Sequence, residues 1–213
     1  LVSGIGALSP AADFTEAQQV GAVSGASFAI CRSLWAQLGG FDERYFMYYE
    51  ESNLSWRASL LGYASWVVPG SVVLHDVGSQ PSAEARYYML RNRYLLLLAH
   101  WRWLMLLLLL PGLLLVELAE WVSLLRLGPR HALLKLRAGA WLLGNVCQIL
   151  RARWRALSSR KVGDAVLLAQ CAATLSPKGL SFGTFSPFVV RSANFAFSLN
   201  YRLALWLVSR LRV

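Results

Sequence analysis

Charge is scarce in this sequence: only 15% of its 213 residues are Asp, Glu, Lys or Arg, against 56% hydrophobic. That balance is too apolar for an ordinary soluble domain of this size. Cysteine is also rare. Cys31, Cys147 and Cys171 lie far apart with no C-x-x-C pair, which excludes a disulfide framework and a thiolate zinc site and suits a reducing compartment. His75, His100 and His131 have no metal-ligand spacing among themselves. No glycine-rich phosphate loop is present, since Gly4-Ile5-Gly6 lacks both the third glycine and a preceding strand. The chain opens on Leu1 with no basic leader, and we read it as a piece of a longer protein.

What charge there is divides sharply. Residues 1–85 carry three Arg against eight acids, a balance of −5, and residues 86–213 hold the remainder of the net +10. A basic segment rich in Leu and Trp suits an anionic membrane surface better than nucleic acid, because long Leu runs have no use on a phosphate backbone.

The densest stretch is Gly39-Gly40-Phe41-Asp42-Glu43-Arg44-Tyr45-Phe46-Met47-Tyr48-Tyr49-Glu50-Glu51-Ser52-Asn53-Leu54-Ser55-Trp56-Arg57. Two glycines break the chain, aromatics follow, and adjacent carboxylates precede a helical pattern. Ser52 or Asn53 can serve as N-cap, which places Glu50 and Glu51 at the positive end of the helix dipole. A carboxylate held there can take a proton from a hydroxyl, or it can simply cap a helix. Around this stretch, residues 23–31 read as a short buried strand and Ser33 caps a helix through Leu38. Residues 64–68 and 71–75 read as strands turning at Pro69-Gly70.

The order of these motifs resembles the second half of a family 2 glycosyltransferase of the rhamnosyltransferase-like branch. That pattern runs G-G-F-D-E-x-F-F-x-Y-x-E-D-x-D-L-x-W-R. Here Gly62-Tyr63, Val68-Pro69 and His75-Asp76-Val77-Gly78 follow it, with Tyr87-Tyr88 and Arg91-Asn92-Arg93 at the exit. The resemblance covers about residues 20–95 and departs from the pattern twice: Glu51 replaces the Asp of the E-D pair, and Asn53 stands where a second acid is common.

The resemblance implies an α/β fold, the C-terminal half of a GT-A-type nucleotide-sugar transferase domain followed by membrane-associated helices. It divides the chain into an acceptor-side half over 1–93, a membrane-associated helical region over 94–160 and an unassigned extension over 161–213. It also implies an inverting transfer from a nucleotide-sugar donor to a glycan or lipid-linked acceptor at the cytoplasmic membrane face. Glu51 would be the base and Glu50 its understudy, while His75 would face the donor's metal-diphosphate group. Arg91 is a candidate phosphate contact and Trp56 either stacks on a sugar ring or belongs to the core; Asp42 ties the turn. A divalent metal, Mg or Mn, would be held mainly by the D-x-D of an upstream half. No D-x-D occurs here, so the chain alone should be inactive. Two other readings stay open: an inactive relative that binds sugar or lipid, and a structural membrane module.

For the membrane, Trp103 to Val116 is a fourteen-residue apolar run interrupted by Pro111-Gly112 and followed by Glu117 and Glu120. A span needs about twenty residues, so the sequence predicts an in-plane segment, with a hairpin of 103–125 and 132–150 as the other topology. Arg86, Arg91 and Arg93 read chiefly as a solvated interfacial face. Residues 195–213 are compatible with another interfacial helix, and residues 176–198 have no assignment.

Overall fold

The computed structural model describes residues 15–75, 82–174 and 187–211. Most of this is helix. Among the described residues the strands are β1 (Gln18–Val20) and β2 (Ser65–Val67), paired antiparallel with Gln19 opposite Trp66. The expected strands at 23–31 and 71–75 do not form: the first is turn and irregular chain lying over a helix, and the second is irregular, exposed chain outside the sheet. The α/β expectation is thus met only by a two-stranded ribbon in a mostly helical molecule.

Helix α1 (Arg32–Leu38) ends where Gly39 and Gly40 take left-handed φ of 74° and 70°, a conformation natural to glycine. Helix α2 (Glu50–Leu60) follows the aromatic turn, and Arg57 on it donates to the Leu38 and Gly40 carbonyls at 2.5 Å each. The end of one helix is therefore closed by a side chain from the next.

The organising helix is α3 (Ala83–His100), capped at Ser82, whose hydroxyl accepts from Ala85 N at 3.1 Å. It packs against α2, α5 (Pro129–Gly144) and α6 (Val146–Ser158). Because neighbours surround it, Arg86, Arg91 and Arg93 are buried. That corrects the expected solvated face.

Helix α4 runs unbroken from Trp103 to Leu127, through Pro111. A proline inside a helix removes one donor and crowds the preceding turn. Here the Asn200 side chain repairs the ladder: its Nδ2 donates to Leu108 O at 2.9 Å and its Oδ1 accepts from Gly112 N at 3.2 Å. Those two groups are the pair an undisturbed helix joins directly. Asn200 lies on α8 (Pro187–Leu211), which packs along α4. Gly112 permits the approach, since a Cβ there would meet Asn200 Oδ1 at 2.8 Å. At 25 residues α4 is long and apolar enough to cross a membrane, so the apolar element is not the short segment expected.

Short α7 (Asp164–Ala169) completes the elements. One buried cluster joins Tyr45, Trp56 and Leu60 to Leu95, Leu96, Trp101 and Met105, and on to Leu167, Leu168, Ala204 and Val208. It draws side chains from all three expected segments of the chain.

Candidate active site

Four residues before Glu50 the backbone turns in an unusual way. Phe46, Tyr48 and Tyr49 all have positive φ, at 58°, 62° and 69°. Non-glycine residues pay sterically for that region, and such strain persists only where the surroundings enforce it. The enforcement comes from α3. Asn92, fully buried, reaches the carbonyls of Tyr45, Met47 and Tyr48 with its Nδ2 at 2.7, 2.8 and 2.7 Å. Arg91 beside it donates to Tyr45 O at 3.1 Å and also to Arg44 O.

Arg91 is therefore placed differently from the expected phosphate contact. Its guanidinium lies over the rings of Tyr88 and Trp141 at 4.7 and 4.4 Å and holds the aromatic turn from within. Trp56 is likewise in the core, 1% exposed and edge to face with Trp101 at 5.5 Å, so a sugar ring cannot reach it from the surface. Asp42 does tie its turn, accepting from Arg44 Nε at 2.8 Å and from the Arg44 backbone N at 3.1 Å. Burial pushes its carboxyl up, but Arg44 outweighs burial and holds it below the ordinary range.

The strained turn delivers Glu50 and Glu51 to the first turn of α2. The N-cap is Tyr49, not Ser52 or Asn53, which lie buried inside the helix. Ser52 instead donates to Glu51 Oε1 at 3.1 Å. Burial, together with the neighbouring Glu50, raises the Glu51 carboxyl above its ordinary value of 4.5. Glu50 Oε2 is buried with no hydrogen-bond partner among the described residues. Over the pair passes the loop at Gly25, where a Cβ would stand 3.7 Å from both Glu50 Oε1 and Glu51 Oε2. Val23 N donates to Ser55 Oγ at 3.2 Å, which ties this loop to α2. The arrangement offers a half-buried carboxylate, positioned on one oxygen and roofed by bare backbone, which can accept a proton from a bound hydroxyl.

Asn53, at the position of the pattern's second acid, is buried with its Nδ2 3.4 Å from His100 Nε2. His100 Nδ1 lies 2.8 Å from Leu96 O, and burial pushes its imidazole down to about 4. His75 is exposed at the end of the irregular segment 71–75, and the rest of its motif, Asp76 to Gly78, lies outside the described residues. No three His, Cys, Asp or Glu side chains form a metal-binding group among the described residues. The described residues do not by themselves fit a metal.

Sequence reasoning missed Asn92 and Gly25 as positioning residues. It also missed a buried ion network behind the site. Arg93 pairs with Glu117 at 2.7 Å and with Glu120, while Lys135 meets Glu117 and Glu120 at 2.7 Å each. Tyr94 donates its hydroxyl to Glu117. The only signal in the sequence was two acids interrupting an apolar helix, which are costly unless paired.

Over 85 aligned positions the chain is 38% identical to N-acetylglucosaminyl-diphospho-decaprenol L-rhamnosyltransferase from two strains of Mycobacterium tuberculosis. The match takes in 35% of this chain and 28% of the relatives' length. The chain is related to a glycosyltransferase. No protein-family model matches it, and no solved structure does. The glycosyltransferase-like relationship therefore rests on one partial match, and the carboxylate pair is the chemistry that the geometry sets beside it.

Proposed function

We propose that this chain contributes the acceptor side of an inverting, family 2-type glycosyltransferase that works at the cytoplasmic face of a membrane. The observation that carries this reading is Glu51, half-buried, raised by burial and by Glu50, and held on one oxygen by Ser52. Glu51 takes the proton from an acceptor hydroxyl as that oxygen forms its bond to the anomeric carbon of a nucleotide-sugar. The bond from that carbon to the diphosphate breaks, and its electron pair leaves with the nucleoside diphosphate. Glu50 supplies the negative neighbour that keeps Glu51 basic. A divalent cation, Mg or Mn, belongs to this reading with ligands beyond the described residues.

The acceptor proposed is a glycan or a lipid-linked sugar, the class to which the relatives' decaprenol-linked substrate belongs. Apolar stripes support a membrane seat. Leu107, Leu110, Leu114 and Leu118 on α4 and Phe195, Leu199, Leu203 and Trp206 on α8 are all exposed. Arg191, Arg202 and Arg210 are also exposed on α8, the pairing of apolar face and cations that suits an anionic lipid surface.

The test is sugar transfer by membranes carrying the gene product that contains this chain. Glu51→Gln keeps the shape and removes the proton acceptor, and it should lower turnover by about a hundredfold or more while donor affinity changes little. The parental rate should rise with pH along a limb above the ordinary Glu value, and the substitution should remove that limb. Near-parental turnover in Glu51→Gln would exclude Glu51 as base. A parent without any turnover would favour the inactive, lipid- or sugar-binding reading.

A further inference from the structure

Phe46 stands apart on the turn that leads to the carboxylate pair. Its φ of 58° is a left-handed value that is costly for a bulky side chain and that Gly or Asn takes more easily. Burial does not offset that cost, because the Phe46 ring is 69% exposed while Tyr45 beside it lies in the core. Nor is the ring loose. It lies 5.2 Å from the Tyr88 ring, which is itself covered by the Arg91 guanidinium at 4.7 Å. Packing gives no reason to hold an exposed aromatic ring on a strained backbone, and strain of this kind gathers at sites that bind.

The neighbourhood narrows what the ring can receive. Within five residues on either side stand four acids, Asp42, Glu43, Glu50 and Glu51, and one cation, Arg44, which is already paired with Asp42. Arg91 is buried and turned onto the carbonyls of Arg44 and Tyr45. A phosphate, whether of a nucleotide or of an anionic headgroup, meets like charge there. A neutral pyranose suits both parts of the surface: its C–H face stacks on an aromatic ring, and its hydroxyls donate to carboxylate oxygens. Phe46 precedes Glu50 by four residues, a backbone reach of at most about 14 Å, so a glycan lying on the ring extends to the carboxylates.

We infer that the exposed ring of Phe46 is a stacking platform for a sugar of the acceptor. Tyr88 buttresses the ring, and Asn92 fixes the backbone on both sides of it through the carbonyls of Tyr45 and Met47. The inference rests on the proposed transferase reading only in calling that sugar part of an acceptor. The stacking itself needs neither Glu51 nor a donor.

The experiment uses the gene product that contains this chain, in phosphatidylcholine nanodiscs. The probes are the methyl β-glycosides of glucose, galactose and mannose, with sorbitol as an open-chain polyol that has hydroxyls but no ring face. Saturation-transfer NMR with irradiation of the protein's aromatic protons should mark the axial hydrogens of one ring face in at least one glycoside, and should leave sorbitol unmarked. Phe46→Asn, which removes the ring and suits the left-handed backbone, should weaken that binding roughly tenfold while melting no lower than the parent. Phe46→Trp keeps a ring and should bind as the parent does. A side chain held only for packing gives the opposite pattern: Phe46→Asn melts lower and its glycoside signal is unchanged. That pattern, the absence of signal from all three glycosides, an equal signal from sorbitol, or a Phe46→Trp variant that binds no better than Phe46→Asn overturns the platform. A dimer lost in Phe46→Asn without any glycoside signal assigns the ring to a contact between copies instead. Sugar transfer is read separately, so ring-dependent binding without transfer counts against the Glu51 mechanism and leaves the platform standing.

Discussion

At the scale of single residues, the candidate site depends on one buried amide. Asn92 holds three carbonyls of a turn whose backbone would relax if released, and Glu50 begins two residues after the last of them. Asn92→Ala takes its donor from Met47 O and Tyr48 O, while Tyr45 O keeps Arg91 and Met47 N, and this should destabilise the protein by roughly 1 to 3 kcal/mol. It should also lower turnover more than donor affinity, because about 1 Å of drift in a catalytic group can cost a hundredfold. Thermal melts and a kcat-against-KM comparison on the same preparation check both parts. A variant that melts lower but keeps parental kcat would make Asn92 a structural residue alone. The departure at Glu51 bears on the same question. The side chain is one methylene longer than the Asp of the pattern, and Ser52 fixes one of its oxygens while the Gly25 backbone leaves room above the other.

At the scale of elements, local signals were legible where the chain makes its own contacts. The stop at Gly39-Gly40, the tie between Asp42 and its turn, and the helix after the carboxylates could all be read from neighbours in sequence. What could not be read was anything settled by distant partners. Ser52 and Asn53 have capping side chains, yet the turn held by Asn92 moves the helix start back to Glu50. Pro111 should end a helix, yet Asn200, 88 residues beyond Gly112, supplies the missing connection. Glu117 and Glu120 looked like the end of an apolar segment, and they are instead the centre of a four-membered ion cluster across α3, α4 and α5. Removing one member of such a buried cluster strands the opposite charge. Glu120→Gln should therefore cost roughly 3 to 5 kcal/mol, since Arg93 and Lys135 would share only Glu117. Combining it with Lys135→Met removes the stranded cation as well, and the double variant should melt above Glu120→Gln alone. Additive losses in the two variants would show that the cluster is not coupled.

For the whole molecule, one buried cluster links Tyr45, Trp56 and Leu60 of the carboxylate-bearing stretch to the helices that follow. Such a cluster implies that the apolar helices and the carboxylate site unfold together. Salt washing weakens the contribution of Arg191, Arg202 and Arg210 but not that of the Leu stripes, so high salt should release the protein only in part, and detergent should release it fully. Complete release by salt would leave the stripes without a role at lipid. Stability against pH tests the shared core more sharply. His100 is 1% exposed at its centre, with an ordinary value of 6.5 and a folded value pushed down to about 4 by burial. The unfolded chain therefore binds its proton first as pH falls. The contribution of a neutral His100 is fully present above 6.5 and is lost as pH drops toward 4, roughly 3 kcal/mol across that window. Chemical denaturation at stepped pH should show this fall, and His100→Gln, which cannot take up a proton there, should flatten it. If the carboxylate site and the helices share one core, fluorescence from the buried tryptophans and hydrogen-exchange protection of the Glu50-Glu51 turn should be lost along the same pH curve. Separate curves would mean that the helices around His100 can open while the Glu50-Glu51 turn stays formed.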